Sequence, residues 1–234
     1  MNCFPKKNFT FNFFFLKEIH AISKVNHKHC QQIIGVCIHK TVRIVTKLAE
    51  FGSIKHFFVH HRKEVNERML LTWCQQIADG MAYLQDMNIV HGNLAARNVL
   101  VETYNHIRLT DFGLLSLTIT ENNPYVLPEA ILAPKKWMSI ESQKSSVFNH
   151  KTDVWSFGVC AWEIFTFGLK PYFELESSFL LKHLETGMRL RRPQIVHNDV
   201  YVLLLRCWRV EPEQRPSFKD LERKFAKHVT NPLA

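Results

Sequence analysis

The stretch His91-Gly92-Asn93-Leu94-Ala95-Ala96-Arg97-Asn98, within "IVHGNLAARNVLV", sets polar groups at intervals into an otherwise apolar run. Just upstream, "RMLLTWCQQIADGMAYLQD" places Leu70, Cys74, Ile77, Met81 and Leu84 on one face. That stripe predicts a long amphipathic helix ending shortly before the loop, with Gln75, Gln76 and Asp79 left wet. Downstream, "NVLVE" and "HIRLTD" are short strand-like runs around a turn at Thr103 to Asn105, which predicts a small hairpin.

Working outward, the segment from Leu114 to Pro134 reads as a loop, because Pro124, Pro128 and Pro134 prevent a continuous helix. "DVWSFGVCAWEIFTFG" is apolar nearly all round, as expected of a helix buried at the centre of a helical lobe. "SSFLLKHLETG", "DVYVLLLRCWRV" and "FKDLERKFAKHV" are further helices joined by proline-containing connections. Toward the start, Leu16, Ile19, Ile22 and Val25 recur at helical spacing. "IIGVCIH" and "VRIVTKLAE", separated by His39, Lys40 and Thr41, read as an antiparallel strand pair. The pattern is a small strand pair with one helix, followed by a large α-rich lobe.

With 234 residues and 46% hydrophobic content, the chain can bury a sizeable core, which argues against disorder. Six cysteines without a C-x-x-C pair indicate neither a zinc site nor a disulfide framework, so a reducing compartment is the simpler reading. The net charge of +9 and the basic run Lys55 to Arg68 raise the question of nucleic acid. A solvated helix face accounts for that run, and no nucleic-acid partner is expected. No window approaches the roughly 20 apolar residues of a membrane span. "FTFNFFFL" (Phe9 to Leu16) has the apolar character of a leader but no small-residue cleavage site after it.

Three motifs fall in order: His91-x-Asn93-Leu94-x-x-x-Asn98, Asp111-Phe112-Gly113, and Glu141 in "KKWMSIES". With "DVWSFG" and Arg215-Pro216, their order and spacing resemble the protein-kinase set H-R-D-L-x-x-x-N, D-F-G and A-P-E. "LAARN" resembles tyrosine kinases, in which an arginine four residues after the base position helps place the phenol. "KKWMSIES", "DVWSFGVCAWEIFTFGLKPY" and "DVYVLLLRCW" look like the epidermal growth factor receptor family, especially its kinase-impaired member. The likeness runs from about Leu16 to Pro232. It implies an α+β, protein-kinase-like two-lobe fold over 1–234. Residues 1–51 would be a truncated small β-lobe with the αC helix and a strand pair, lacking the first three strands, and 52–234 the mainly α-helical large lobe.

The resemblance also implies roles. Asn98 and Asp111 match the two magnesium-binding positions, both oxygen donors suited to a hard cation bridging the phosphates of ATP. Glu18 falls at the αC glutamate position, where a solvated helix charge is the alternative. Thr46 would be the gatekeeper behind the adenine, Lys47 to Ala49 the hinge, and Leu100 the apolar floor; core packing explains these residue types equally well. Ile22, Ile33, His91 and Phe112 would stack as the regulatory spine. Asp153 would hold the catalytic-loop backbone, and Glu141 would pair with Arg215.

Several positions depart from the family pattern. Asn93 stands where an aspartate accepts the substrate hydroxyl proton, and an amide accepts no proton at neutral pH. Gly92 removes the neighbouring arginine that bonds a phosphorylated activation loop in many kinases. No G-x-G-x-x-G is present, and the strand-three lysine would lie at or before Met1, with Lys6 and Lys7 too close to the helix to replace it. Tyr125 sits where the receptor family has an activation-loop tyrosine, with an ordinary loop residue as the alternative. On the αH helix, Val202 and Leu205 lie on the face that docks an active receptor kinase in the family, with packing into the lobe's core as the alternative, although Asn198 is polar where an aliphatic is usual.

Three expectations follow. One is a catalytically impaired tyrosine-kinase-like domain acting as an allosteric or scaffolding partner of an active receptor tyrosine kinase. Another is a protein tyrosine kinase transferring the ATP γ-phosphate, represented by an N-terminally truncated chain. A poorly folding relic is a third. In each, the expected location is cytoplasmic, at the plasma membrane if the chain belongs to a longer receptor.

Overall fold

A computed structural model of the chain describes residues 20–38, 42–112, 125–126 and 134–230. Residues 20–23 are helical and lead into the antiparallel pair β1 (Ile33–Ile38) and β2 (Val42–Thr46), whose register shifts between Ile33 and Gly35. Helix α1 (Ile54–His61) follows, capped by the Ser53 side chain on the His56 N–H. The predicted long helix is α2 (Glu67–Asp86), which starts where Asn66 accepts from the Met69 N–H.

Every residue of the predicted stripe on α2 is buried: Leu70, Cys74, Ile77, Met81 and Leu84. Its opposite face is not simply wet, which corrects the sequence reading. Gln75 donates to Glu222, Gln76 donates to the Asn105 carbonyl and accepts from the Ile107 N–H, and Asp79 meets Lys28 at 3.3 Å. These partners lie on α7 (Phe218–Thr230), on the hairpin β3 (Val99–Thr103) and β4 (His106–Leu109), and in the segment leading to β1.

That segment fastens the small lobe to the large one. The Gln31 N–H donates to the Leu109 carbonyl at 2.8 Å, and the Leu109 N–H donates to the His29 carbonyl at 2.9 Å. Gly80 on α2 permits the close approach, since a Cβ there would lie 3.0 Å from the His29 carbonyl oxygen.

Tyr125–Val126 form a short strand, β5, antiparallel to β6 (Val147–Phe148), within a segment read from sequence as loop. Helix α3 (Ile140–Ser145) precedes α4 (His150–Phe165), which carries a full capping box between Asn149 and Thr152. As predicted, α4 is buried along most of its length, Trp155, Phe157, Val159 and Ile164 among its fully enclosed side chains. Helices α5 (Ser177–Glu185) and α6 (Asn198–Cys207), with α7, complete the large lobe. The lobe's apolar core runs continuously from α2 through α4 to α6 and α7.

Candidate active site

The loop between α2 and β3 is held from below by α4. Asp153 accepts the His91 N–H through Oδ2 and the Gly92 N–H through Oδ1, both at 2.8 Å. Gly92 has φ +70°, a conformation glycine adopts without a Cβ penalty. Burial pushes the Asp153 carboxyl up to about 7 against the pull of those two donors. Thus Asp153 holds the loop backbone in the way the resemblance implied.

Within the loop, the Arg97 Nη2 donates to Asn93 Oδ1 at 2.6 Å, and the Asn98 Nδ2 donates to the Asn93 carbonyl at 2.7 Å. The first bond fixes the Asn93 amide: its oxygen faces the guanidinium, so its NH2 group faces away. Arg97 also lies over the Trp137 ring at 4.7 Å. Trp137 is held by its indole N–H donating to Glu163 at 2.8 Å, and Glu163 also accepts the Ala96 N–H at 3.0 Å. Burial raises the Glu163 carboxyl pKa, with these two donors and Arg97 opposing. Neither Trp137 nor Glu163 was picked out from sequence. Glu163 carried a signal, a carboxylate inside the apolar "CAWEIF" run, which the all-round apolar reading of the helix passed over.

Asn98 and Asp111 are brought together through the hairpin end, where the Thr110 N–H donates to the Asn98 carbonyl at 3.0 Å. Asp111 has φ +58°, a sparsely populated conformation for a non-glycine residue and a mark of functional sites. Burial raises its pKa while Arg97 lowers it. The Asn98 Nδ2 is engaged, which leaves its Oδ1 as acceptor. Two hard oxygens, one anionic, fit a magnesium ion carrying a nucleotide's phosphates.

Glu18, Lys6 and Lys7 lie outside the described residues. Lys47, Ala49 and Leu100 line one crevice together with Gln31, Leu48, Glu102 and Arg108. The Lys47 carbonyl accepts from Gln31 Nε2 at 2.6 Å, and its ammonium pairs with Glu102 at 2.9 Å. Thr46 is exposed, as is Leu48 at 85%.

Of the expected spine, His91 and Phe112 meet edge-on with centroids 6.2 Å apart; Ile22 is buried, and Ile33 packs against the core half-buried. His91 makes its ring contact with Nδ1, which accepts the Asn93 N–H at 3.3 Å, and burial pushes its pKa down to about 4. Glu141 and Arg215 form the expected pair. The Tyr125 side chain lies outside what is described. On α6, Val202 is half-buried and Leu205 is 37% exposed, so this face is not absorbed into the core. Asn198 begins that helix, after the His197 cap.

A loop braced by a buried aspartate, an asparagine and an aspartate offering oxygens beside it, and an enclosed arginine paired with a glutamate together define the large lobe of a protein kinase. The chain belongs to the protein tyrosine and serine/threonine kinase family, whose sequence model matches residues 8–225. It is 38% identical to the melanoma receptor tyrosine-protein kinase of Xiphophorus maculatus over 93% of this chain and 18% of that relative. It is 38% identical to the receptor tyrosine-protein kinase erbB-4 of Homo sapiens over 97% of this chain and 17% of that relative. It is 40% identical to the epidermal growth factor receptor of Apis mellifera over 93% and 17%. The chain therefore spans less than a fifth of the length of these relatives. Among the described residues, no helix is long and apolar enough to cross a membrane.

Proposed function

We propose that the chain is a receptor tyrosine-kinase-like domain whose phosphate-transfer step is impaired and whose role is contact, as an allosteric or scaffolding partner of an active receptor kinase. One observation carries the reading: the side chain at the base position is an amide whose oxygen is held by Arg97. The group turned toward the substrate side is then a hydrogen-bond donor, which takes up no proton. Loss of general-base assistance corresponds to about 10²–10⁴-fold in rate.

Asn98 and Asp111 would hold magnesium, which when bound neutralises charge on the phosphates of ATP. Lys47, Ala49 and Leu100, which line one crevice, would take the adenine side of that nucleotide. The exposed Leu205 with Val202 supplies the partner face, and a location at the cytoplasmic side of the plasma membrane follows if the chain belongs to a longer receptor.

The second reading is an active protein tyrosine kinase, favoured by the retention of Arg97, Asn98 and Asp111 in an ordered loop. Transfer of labelled phosphate from ATP to a tyrosine peptide, by the full chain and by its Asn93→Asp variant, separates the two. Impairment predicts at least a hundredfold gain in the variant, or no transfer by either protein. Equal, rapid transfer by both would establish the enzyme.

A further inference from the structure

We infer that the substrate side of this loop binds a phosphorylated tyrosine side chain in preference to an unphosphorylated one; this deepens, and rests on, the impaired-catalysis reading. In a phosphate-transferring site, an aspartate at position 93 accepts a proton from the phenol and, as a carboxylate, repels the aryl phosphate dianion that results. Asn93 reverses both properties. Because Arg97 Nη2 occupies its Oδ1 at 2.6 Å, its NH2 group is presented on the other side, and that group makes no hydrogen bond among the described residues. An N–H donor thus stands where an anionic acceptor would be.

The neighbouring charge acts in the same sense. Arg97 offers five N–H donors in a planar fork suited to phosphate. Among the described residues only one of its hydrogen bonds is present, and it goes to a neutral amide. A carboxylate at position 93 would supply a hydrogen-bonded counter-charge to the guanidinium; here the guanidinium is half-buried over Trp137 and its bonded partner is neutral. Two acids share its field. Glu163 is turned inward, bound to the Ala96 N–H and the Trp137 indole, which leaves Asp111 as the other carboxylate in its field among the described residues. Trp137 fixes the guanidinium plane, so the donors are organised before a ligand arrives.

The test is fluorescence anisotropy of the full chain with three labelled peptides of identical sequence carrying tyrosine, phosphotyrosine or phosphoserine at the centre. The expected result is at least tenfold tighter binding of the phosphotyrosine peptide than of either other, with that preference erased in Asn93→Asp. Arg97→Gln, confirmed folded by its melting curve, should lose it as well. Equal affinity for tyrosine and phosphotyrosine, a preference that survives Asn93→Asp, phosphoserine binding as tightly as phosphotyrosine, or no binding at all would each overturn the inference. Phosphate transfer measured on the same samples tests the impaired-catalysis reading separately, since rapid transfer by the unaltered chain defeats that reading whatever the peptides show.

Discussion

Arg215 grips Glu141 with both terminal guanidinium nitrogens, at 2.6 and 2.9 Å, 74 residues away along the chain. The arginine side chain is fully enclosed, and it also donates to the carbonyls of Lys151, Arg209 and Val210. Removing the carboxylate would leave that buried cation without its counter-charge. Glu141→Ala is expected to destabilise the chain by about 3 kcal/mol, read from urea denaturation. The double variant Glu141→Ala with Arg215→Met should lose less than the sum of the two single changes.

Acid stability depends on His91. Its ring is buried and its pKa is held near 4, against 6.5 in the unfolded chain. Between those values the unfolded chain takes up a proton that the folded one refuses, so stability present above 6.5 is lost as pH falls toward 4. Asp153 acts oppositely, since the folded state keeps its proton up to about 7 and its contribution falls as pH rises from 3.8. Denaturation series across this window should show that His91→Phe makes the dependence on pH less positive by about 1.4 kcal/mol per pH unit.

Gly158 on α4 lies against α6. A Cβ there would lie 2.6 Å from the Trp208 indole nitrogen and 2.9 Å from the Cys207 Cβ, both on buried residues. Gly158→Ala forces the α4 and α6 packing apart, and a loss of about 1–3 kcal/mol is expected in thermal melts. An unchanged melting temperature would show that the two helices separate freely.

Leu205 projects from α6 into solvent, so a charge there should leave folding within about 0.5 kcal/mol of the unaltered chain. If the α6 face engages an active receptor kinase, Leu205→Arg abolishes stimulation of that kinase in a reconstituted mixture. Full stimulation by the variant would remove α6 from the interface.

Much of the large lobe was legible in the sequence because its elements bury one face at regular spacing. The stripe from Leu70 to Leu84 on α2 and the buried "DVWSFGVCAWEIF" helix follow from periodicity alone. The small lobe was legible only as a strand pair with one helix before it. The exposure of Thr46 and Leu48 was not, because the residue types of a covered and an uncovered hinge are the same.

By itself the sequence determined the order of the main helices and of two strand pairs, the kinase motif set and the amide at position 93, since each is a matter of local spacing and residue chemistry. Only the tertiary structure decided how the polar groups are used. Glu163 reaches back 67 residues to the Ala96 N–H, Trp137 comes under Arg97 from 40 residues downstream, and Gln75 finds Glu222 across 147 residues. Periodicity reports which face of a helix is apolar. A buried carboxylate or amide is stable only where a partner meets it, and folding brings those partners from distant parts of the chain.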